Sequence, residues 1–143
     1  MVRTVIPVAL AMALTAIGLL HFVWVFSPWP MRDAVTFSRA IGGVDDDKMP
    51  PAPSTALVGL ALIGGAVLTL MVNGSIPTLG PGWLSLVGMY GLTAVLLARG
   101  LGGYLMNSRA PSEFQRLNTV LYSPLCVALG IMSGIVAVAA SGR

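Results

Sequence analysis

Charged residues are scarce in this chain: they make up 9% of its 143 residues, while hydrophobic residues make up 56%. An ordinary soluble domain carries about 25% charged residues, which help to cover its surface with polar groups. The mean hydropathy of +0.87 points the same way. This composition excludes a water-soluble globular domain and indicates a membrane protein.

Residues that carry chemistry are also few. Cys126 is the single cysteine, so no disulfide forms within one chain, and His21 is the single histidine. A metal or haem site needs several ligands, so we expect no metal and no cofactor. The eight Lys and Arg residues are dispersed along the chain, whereas a nucleic-acid surface clusters them on one face. We therefore expect no nucleic-acid partner.

Catalytic motifs are missing from the sequence. The long hydrophobic stretches contain no aspartate or glutamate, the residues that proton-coupled transporters place inside the membrane. A dyad of Ser123 and His21 is conceivable, but no carboxylate in these stretches would orient the histidine. We therefore predict no catalytic residue.

Four long apolar runs occupy most of the chain: Val5–Pro28, Ser54–Val72, Trp83–Tyr104 and Thr119–Ser141. Each has about the 20 residues that a helix needs to cross a bilayer core, and a helix satisfies its own backbone there. The sequence thus predicts an all-α membrane protein, with residues 1–143 forming one four-helix transmembrane bundle. A retained first helix is favoured over a cleaved signal peptide, because the run is too long for one.

Basic residues predict the orientation of the bundle. Loop one, residues 29–53, and loop three, residues 105–118, contain most of them, while the opposite side has Arg3 and Arg143. The positive-inside rule therefore puts both loops in the cytoplasm and both termini outside the cell membrane. The members of the two loops are Arg32, Arg39, Lys48, Arg109 and Arg116.

Several polar residues of the apolar runs are predicted to share one depth. His21 lies 16 residues after Val5, and Arg99 lies 16 residues after Trp83. Both are therefore about 24 Å along parallel helices, near the loop side, where Tyr122-Ser123 begin the last run. Each residue also has an ordinary explanation: Arg99 can snorkel to the headgroups, while His21, Trp24 and Tyr122 suit an interfacial belt.

A series of short motifs runs along the chain in this order: His21-x-x-Trp24, Trp29-Pro30, Met49-Pro50, Arg99-Gly100 and Leu121-Tyr122-Ser123-Pro124-Leu125-Cys126. The last motif, at the start of the fourth run, is the most specific of them. The set and its order resemble a family of small bacterial membrane proteins catalogued as domain of unknown function 3995. The resemblance spans essentially the whole chain, and it implies a membrane fold and a shared polar layer.

Two positions depart from that family pattern. Members usually carry one aspartate soon after the arginine and another shortly before the Tyr-Ser-Pro string. Here those places are Gly102-Gly103 and Asn118. If the acids pair with the arginine in the family, Arg99 lacks charged partners in this chain.

These observations favour a non-enzymatic integral membrane protein. It would bind a membrane lipid headgroup or small amphiphile through His21, Trp24, Arg99, Tyr122 and Ser123, or serve as an accessory subunit of a larger membrane complex. One alternative is a small transporter or channel built as a homo-oligomer, since four spans leave little room for a pore. A membrane enzyme acting on a lipid-like or quinone-like substrate is the other alternative.

Overall fold

The computed structural model describes residues 2–143, and within that range it contains helices and no β-strand. The predicted all-α class is confirmed, because four helices are long and apolar enough to cross a membrane. The long helices are α1 (Val5–Phe26), α3 (Ala52–Val72), α4 (Gly82–Met106) and α6 (Ser123–Ser141). Two short helices connect them, α2 (Ala34–Phe37) and α5 (Ser112–Leu117).

The outer surface of the bundle is apolar on every long helix. Met12, Leu57, Val95 and Val138 are largely exposed, one on each of α1, α3, α4 and α6. A helix that is hydrophobic on all sides is stable where its surroundings are as apolar as its core. The four helices thus have the surface of membrane spans.

The long helices pack as two pairs, α1 with α3 and α4 with α6. A Cβ added to Gly18 of α1 would lie 3.0 Å from the Gly59 carbonyl oxygen of α3. In the second pair, a Cβ on Gly100 would lie 2.8 Å from the Val127 backbone nitrogen. Small residues therefore let the backbones of each pair approach closely.

The two pairs meet in a core that is mainly apolar. Leu10 and Leu14 of α1 and Met89 of α4 are completely buried there. Polar contacts also cross the second pair; in one of them the Thr93 hydroxyl donates to the Ser133 hydroxyl oxygen at 2.8 Å. This bond gives the buried hydroxyls a partner inside a medium that offers no water.

The region predicted as loop three is mostly helical. A 3₁₀ turn, Asn107–Arg109, extends α4, and α5 begins directly after Pro111. A π-helical turn, Asn118–Tyr122, joins α5 to α6, and the Ser123 N–H donates to the Asn118 carbonyl. The polar composition of this segment predicted a loop, whereas tertiary contacts stabilise a helix there. We call this end of the bundle, with loop one and α5, the loop end, and the opposite one the termini end.

Candidate functional site

A polar cluster lies at the loop end, where the last turns of α4 meet the π-helical turn. Arg99, Gly103 and Asn107 follow one another at intervals of four residues, so they share one face of α4. The π-helical turn opposite them supplies Asn118 and leads into Ser123. We call these five residues the Asn118 cluster.

The Asn118 side chain is fully buried and uses its whole hydrogen-bonding capacity. Its Nδ2 donates to the Gly103 carbonyl at 3.0 Å and to Asn107 Oδ1 at 3.3 Å. Its Oδ1 accepts from Arg99 Nη1 at 3.2 Å and from Ser123 Oγ at 3.0 Å. Two donors and two acceptor sites are all that an amide possesses, so the side chain is fixed in one orientation.

The lack of a side chain at Gly103 makes room for the Arg99 guanidinium. A Cβ added at position 103 would lie 2.6 Å from Arg99 Nη1 and would overlap the Ser123 hydroxyl. The neighbouring Gly102 has no such restriction, because nothing lies within 4 Å of its added Cβ. The glycine at position 103 is thus required by a side chain of its own helix.

The Arg99 guanidinium makes one hydrogen bond to the protein and is otherwise accessible. The residue belongs to the exposed class, although Nη1 donates to buried Asn118. Both ion pairs among residues 2–143 are made by Arg39, so no carboxylate of this range neutralises Arg99. The result is a positioned guanidinium whose charge has no protein counterion.

His21 and Trp24 lie on α1, and Trp24 also contacts loop one. The Ile17 carbonyl lies 2.8 Å from His21 Nδ1, and since a carbonyl can only accept, Nδ1 carries the hydrogen. The Trp24 indole N–H donates to the Trp29 carbonyl at 2.8 Å, and its ring contacts Phe37 with centroids 5.1 Å apart. The ring centroids of His21 and Trp24 are 4.7 Å apart.

Tyr122 connects α6 to loop one through a set of contacts that we call the latch. Its hydroxyl donates to the Ala40 carbonyl at 2.9 Å, and its ring lies 5.7 Å from that of Phe114. Beside it, Arg39 reaches Glu113 of α5 at 3.5 Å. The latch therefore joins the segment after α2 to the start of the last long helix.

The structure brings together some of the residues proposed from sequence and keeps others apart. Arg99 and Ser123 meet through Asn118, whereas no hydrogen bond within residues 2–143 joins either of them to His21. Sequence reasoning did not select Asn107 or Asn118 as site residues. The four-residue spacing of Arg99, Gly103 and Asn107 was the available signal, since it places two polar side chains on one helical face.

The Asn118 cluster presents one positive charge, the Arg99 guanidinium. Within the range that the structure covers, no three His, Cys, Asp or Glu side chains gather to hold a metal ion. The amides of Asn107 and Asn118 and the Ser123 hydroxyl already donate their hydrogens to protein acceptors. The Arg99 guanidinium is therefore the group of the cluster that keeps N–H donors for an anion.

Comparison with known proteins gives one match. The model of a family described as "Protein of unknown function (DUF3995)" matches residues 14–133. No curated protein matches the chain, and no solved structure does.

Proposed function

The chain belongs to the DUF3995 family, whose description assigns no activity, and we propose from its own side chains that it binds an anionic headgroup at Arg99. The ligand would be a membrane lipid or another amphiphile with a phosphate group. One observation carries this proposal: an exposed guanidinium is held by a saturated, buried amide and has no carboxylate partner.

The guanidinium retains donors for a ligand. Arginine has five N–H groups in a planar fork, and one bond to Asn118 leaves the others available. A phosphate accepts two parallel N–H bonds from such a fork, which is stronger and more specific than one contact with an ammonium group. A positioned fork also avoids part of the entropy that a mobile arginine side chain loses on binding.

The position of Arg99 along its helix favours a headgroup over a soluble anion. It lies seven positions before Met106 at the end of α4, a distance that lets a long side chain reach the interface. The orientation predicted by the basic residues puts this end at the cytoplasmic leaflet, which carries anionic lipids. The basic loops would concentrate those lipids around the bundle.

Lipid binding to the variant Arg99→Lys tests the proposal. We expect its apparent dissociation constant for short-chain phosphatidylglycerol to rise about tenfold, because lysine keeps the charge and loses the fork. The measurement is native mass spectrometry of the protein in a maltoside detergent, with phosphatidylcholine as the zwitterionic comparison lipid.

Arg109→Lys is the matched control. Arg109 is also exposed at the loop end, and its side chain makes no hydrogen bond within residues 2–143, so we expect parental binding. Equal binding by Arg99→Lys, Arg109→Lys and the parent, with all three folded, contradicts the proposed contact. The same spectra report oligomeric state, and an oligomer that passes phosphate across vesicles would instead support the transporter hypothesis.

A further inference from the structure

A cavity lies at the termini end of the bundle, opposite the Asn118 cluster. Its volume is about 400 Å³, within the range of cavities that bind small ligands. The C-terminus of α3, the N-terminus of α4 and the C-terminus of α6 surround it. Its polar lining includes Ser85, Arg143 and Thr78, and Trp83 stands at its rim.

Ser85 lines this cavity, and its hydroxyl has no protein partner among residues 2–143. The residue is 6% exposed, and no hydrogen bond within residues 2–143 involves its side chain. Every other serine and threonine of the four long helices makes one. The side chain is almost enclosed by protein, while its hydroxyl remains open to the cavity, where a ligand oxygen can accept its hydrogen.

The first turn of α3 provides an internal comparison. Thr55 is the fourth residue of α3, as Ser85 is of α4, and each helix follows a proline. Thr55 is similarly buried, at 8% exposed, but its hydroxyl donates to the Pro51 carbonyl at 3.2 Å. The hydroxyl of Ser85 makes no equivalent bond to Pro81, although the local sequence offers the same carbonyl.

The backbone of α4 adds donors beside Ser85. The Leu84 N–H donates to the Pro81 carbonyl at 3.0 Å, while the N–H groups of Gly82 and Trp83 have no backbone acceptor within residues 2–143. No side chain caps this helix end. Unpaired N–H groups at the start of a long helix, together with its dipole, attract anions.

Arg143 gives the cavity a positive charge. Its guanidinium donates to the Val72 carbonyl at 3.3 Å and to the Asn73 carbonyl at 3.5 Å. These carbonyls form the negative end of α3, which would otherwise repel an anion near the cavity. The guanidinium compensates that end, and no carboxylate among residues 2–143 pairs with it.

We propose that this cavity binds a phosphate group, through the Ser85 hydroxyl, the first amides of α4 and the Arg143 guanidinium. The phosphate belongs to a lipid headgroup or to a free phosphate ion, and both present the same acceptor oxygens. Trp83 at the rim suits an interfacial headgroup. The site is independent of Arg99, since it lies at the other end of the bundle.

Amide NMR of the intact protein in maltoside micelles, which contain no phosphate, tests this site. Inorganic phosphate and dihexanoyl phosphatidylglycerol are titrated separately. We expect saturable downfield shifts of the Gly82 and Trp83 amides, because both gain an anionic acceptor. Shifts with the lipid alone identify a headgroup site, and shifts with inorganic phosphate identify a site for the free ion as well.

Three variants complete the test. Ser85→Ala and Arg143→Gln should each weaken binding about tenfold, or about 1.4 kcal/mol, whereas Thr55→Ala should titrate like the parent. Unchanged Gly103 and Asn118 amide resonances show that each variant keeps the fold. The proposal is overturned if neither probe gives a saturable shift, or if Ser85→Ala and Arg143→Gln bind as tightly as Thr55→Ala.

Discussion

At the scale of single residues, Asn118 determines whether the positive charge of Arg99 at the loop end is compensated. Its neutral amide holds the Arg99 guanidinium by one hydrogen bond and leaves the charge uncompensated. A carboxylate in its place would form an ion pair and reduce the attraction for an external anion. The family resemblance led us to expect an acid near this position, and the amide is therefore the residue that gives this chain its free cation.

Gly103→Ala is predicted to disrupt the cluster. The new methyl group would come within 2.6 Å of Arg99 Nη1, so the guanidinium must move away from Asn118. We expect a loss of about 1–3 kcal/mol in the free energy of unfolding and weaker headgroup binding. Denaturation in mixed micelles measures the first quantity, and native mass spectrometry measures the second.

Gly102→Ala is the control for that substitution. Its added methyl group meets nothing within 4 Å, and alanine is favoured over glycine in a helix by up to about 1 kcal/mol. We expect unchanged or slightly greater stability and normal binding. If the two alanine variants behave alike, the crowding assigned to position 103 is wrong.

At the scale of helices, glycines lie at the close contacts within each helix pair. Gly18 and Gly59 face each other between α1 and α3, where each added Cβ would come close to the carbonyl oxygen of the other residue. In the second pair, Gly130 of α6 packs against Leu97 of α4. Sequence spacing does not reveal the contact between Gly18 and Gly59, because the two glycines lie on different helices.

Gly59→Ala should weaken the α1–α3 contact. A methyl group there would lie 3.0 Å from the Phe22 ring and 3.1 Å from the Gly18 carbonyl oxygen, and the backbone cannot easily yield. We expect the free energy of unfolding to fall by about 1–3 kcal/mol. Gly64→Ala on the same helix, with open space around it, should be neutral or stabilising; a similar loss in both would show that helix contact is not the cause.

Length and composition were sufficient to predict the four long helices, because an apolar run of bilayer length has few other ways to satisfy its backbone. They were insufficient for α5. Four of its six residues are polar, and its contacts come from loop one: Arg39 approaches Glu113, and Gly43 lies against the Phe114 ring. Such long-range support leaves no local periodic signal, so the segment was predicted as a loop.

At the scale of the whole molecule, the latch connects the two helix pairs. Trp24 of α1 packs on Phe37, and Ala40, three residues further on, accepts the hydroxyl of Tyr122. The depth argument placed the polar residues at one end of the bundle, but it did not distinguish their roles. Arg99 faces outward beside Asn118, and Trp24 and Tyr122 contact loop one. His21 instead contacts its own helix, at the Ile17 carbonyl and the Trp24 ring.

Tyr122→Phe should loosen the latch without altering the helices. It removes the bond to the Ala40 carbonyl, worth about 1 kcal/mol, so hydrogen exchange over residues 38–42 should accelerate about fivefold. Tyr104→Phe is the control, because the Tyr104 hydroxyl bonds to Thr119 at the same end and does not contact loop one. Equal exchange in the two variants would contradict the role of Tyr122.

From the pairing of the long helices we expect an order of assembly during synthesis. α1 and α3 are consecutive long segments, and so are α4 and α6, so each pair has both of its members as soon as the second has been inserted. The latch is different, because loop one is made early and its partners in α5 and the π-helical turn are made late. We therefore expect loop one to lack its final contacts until more than half of the chain that follows it has been synthesised.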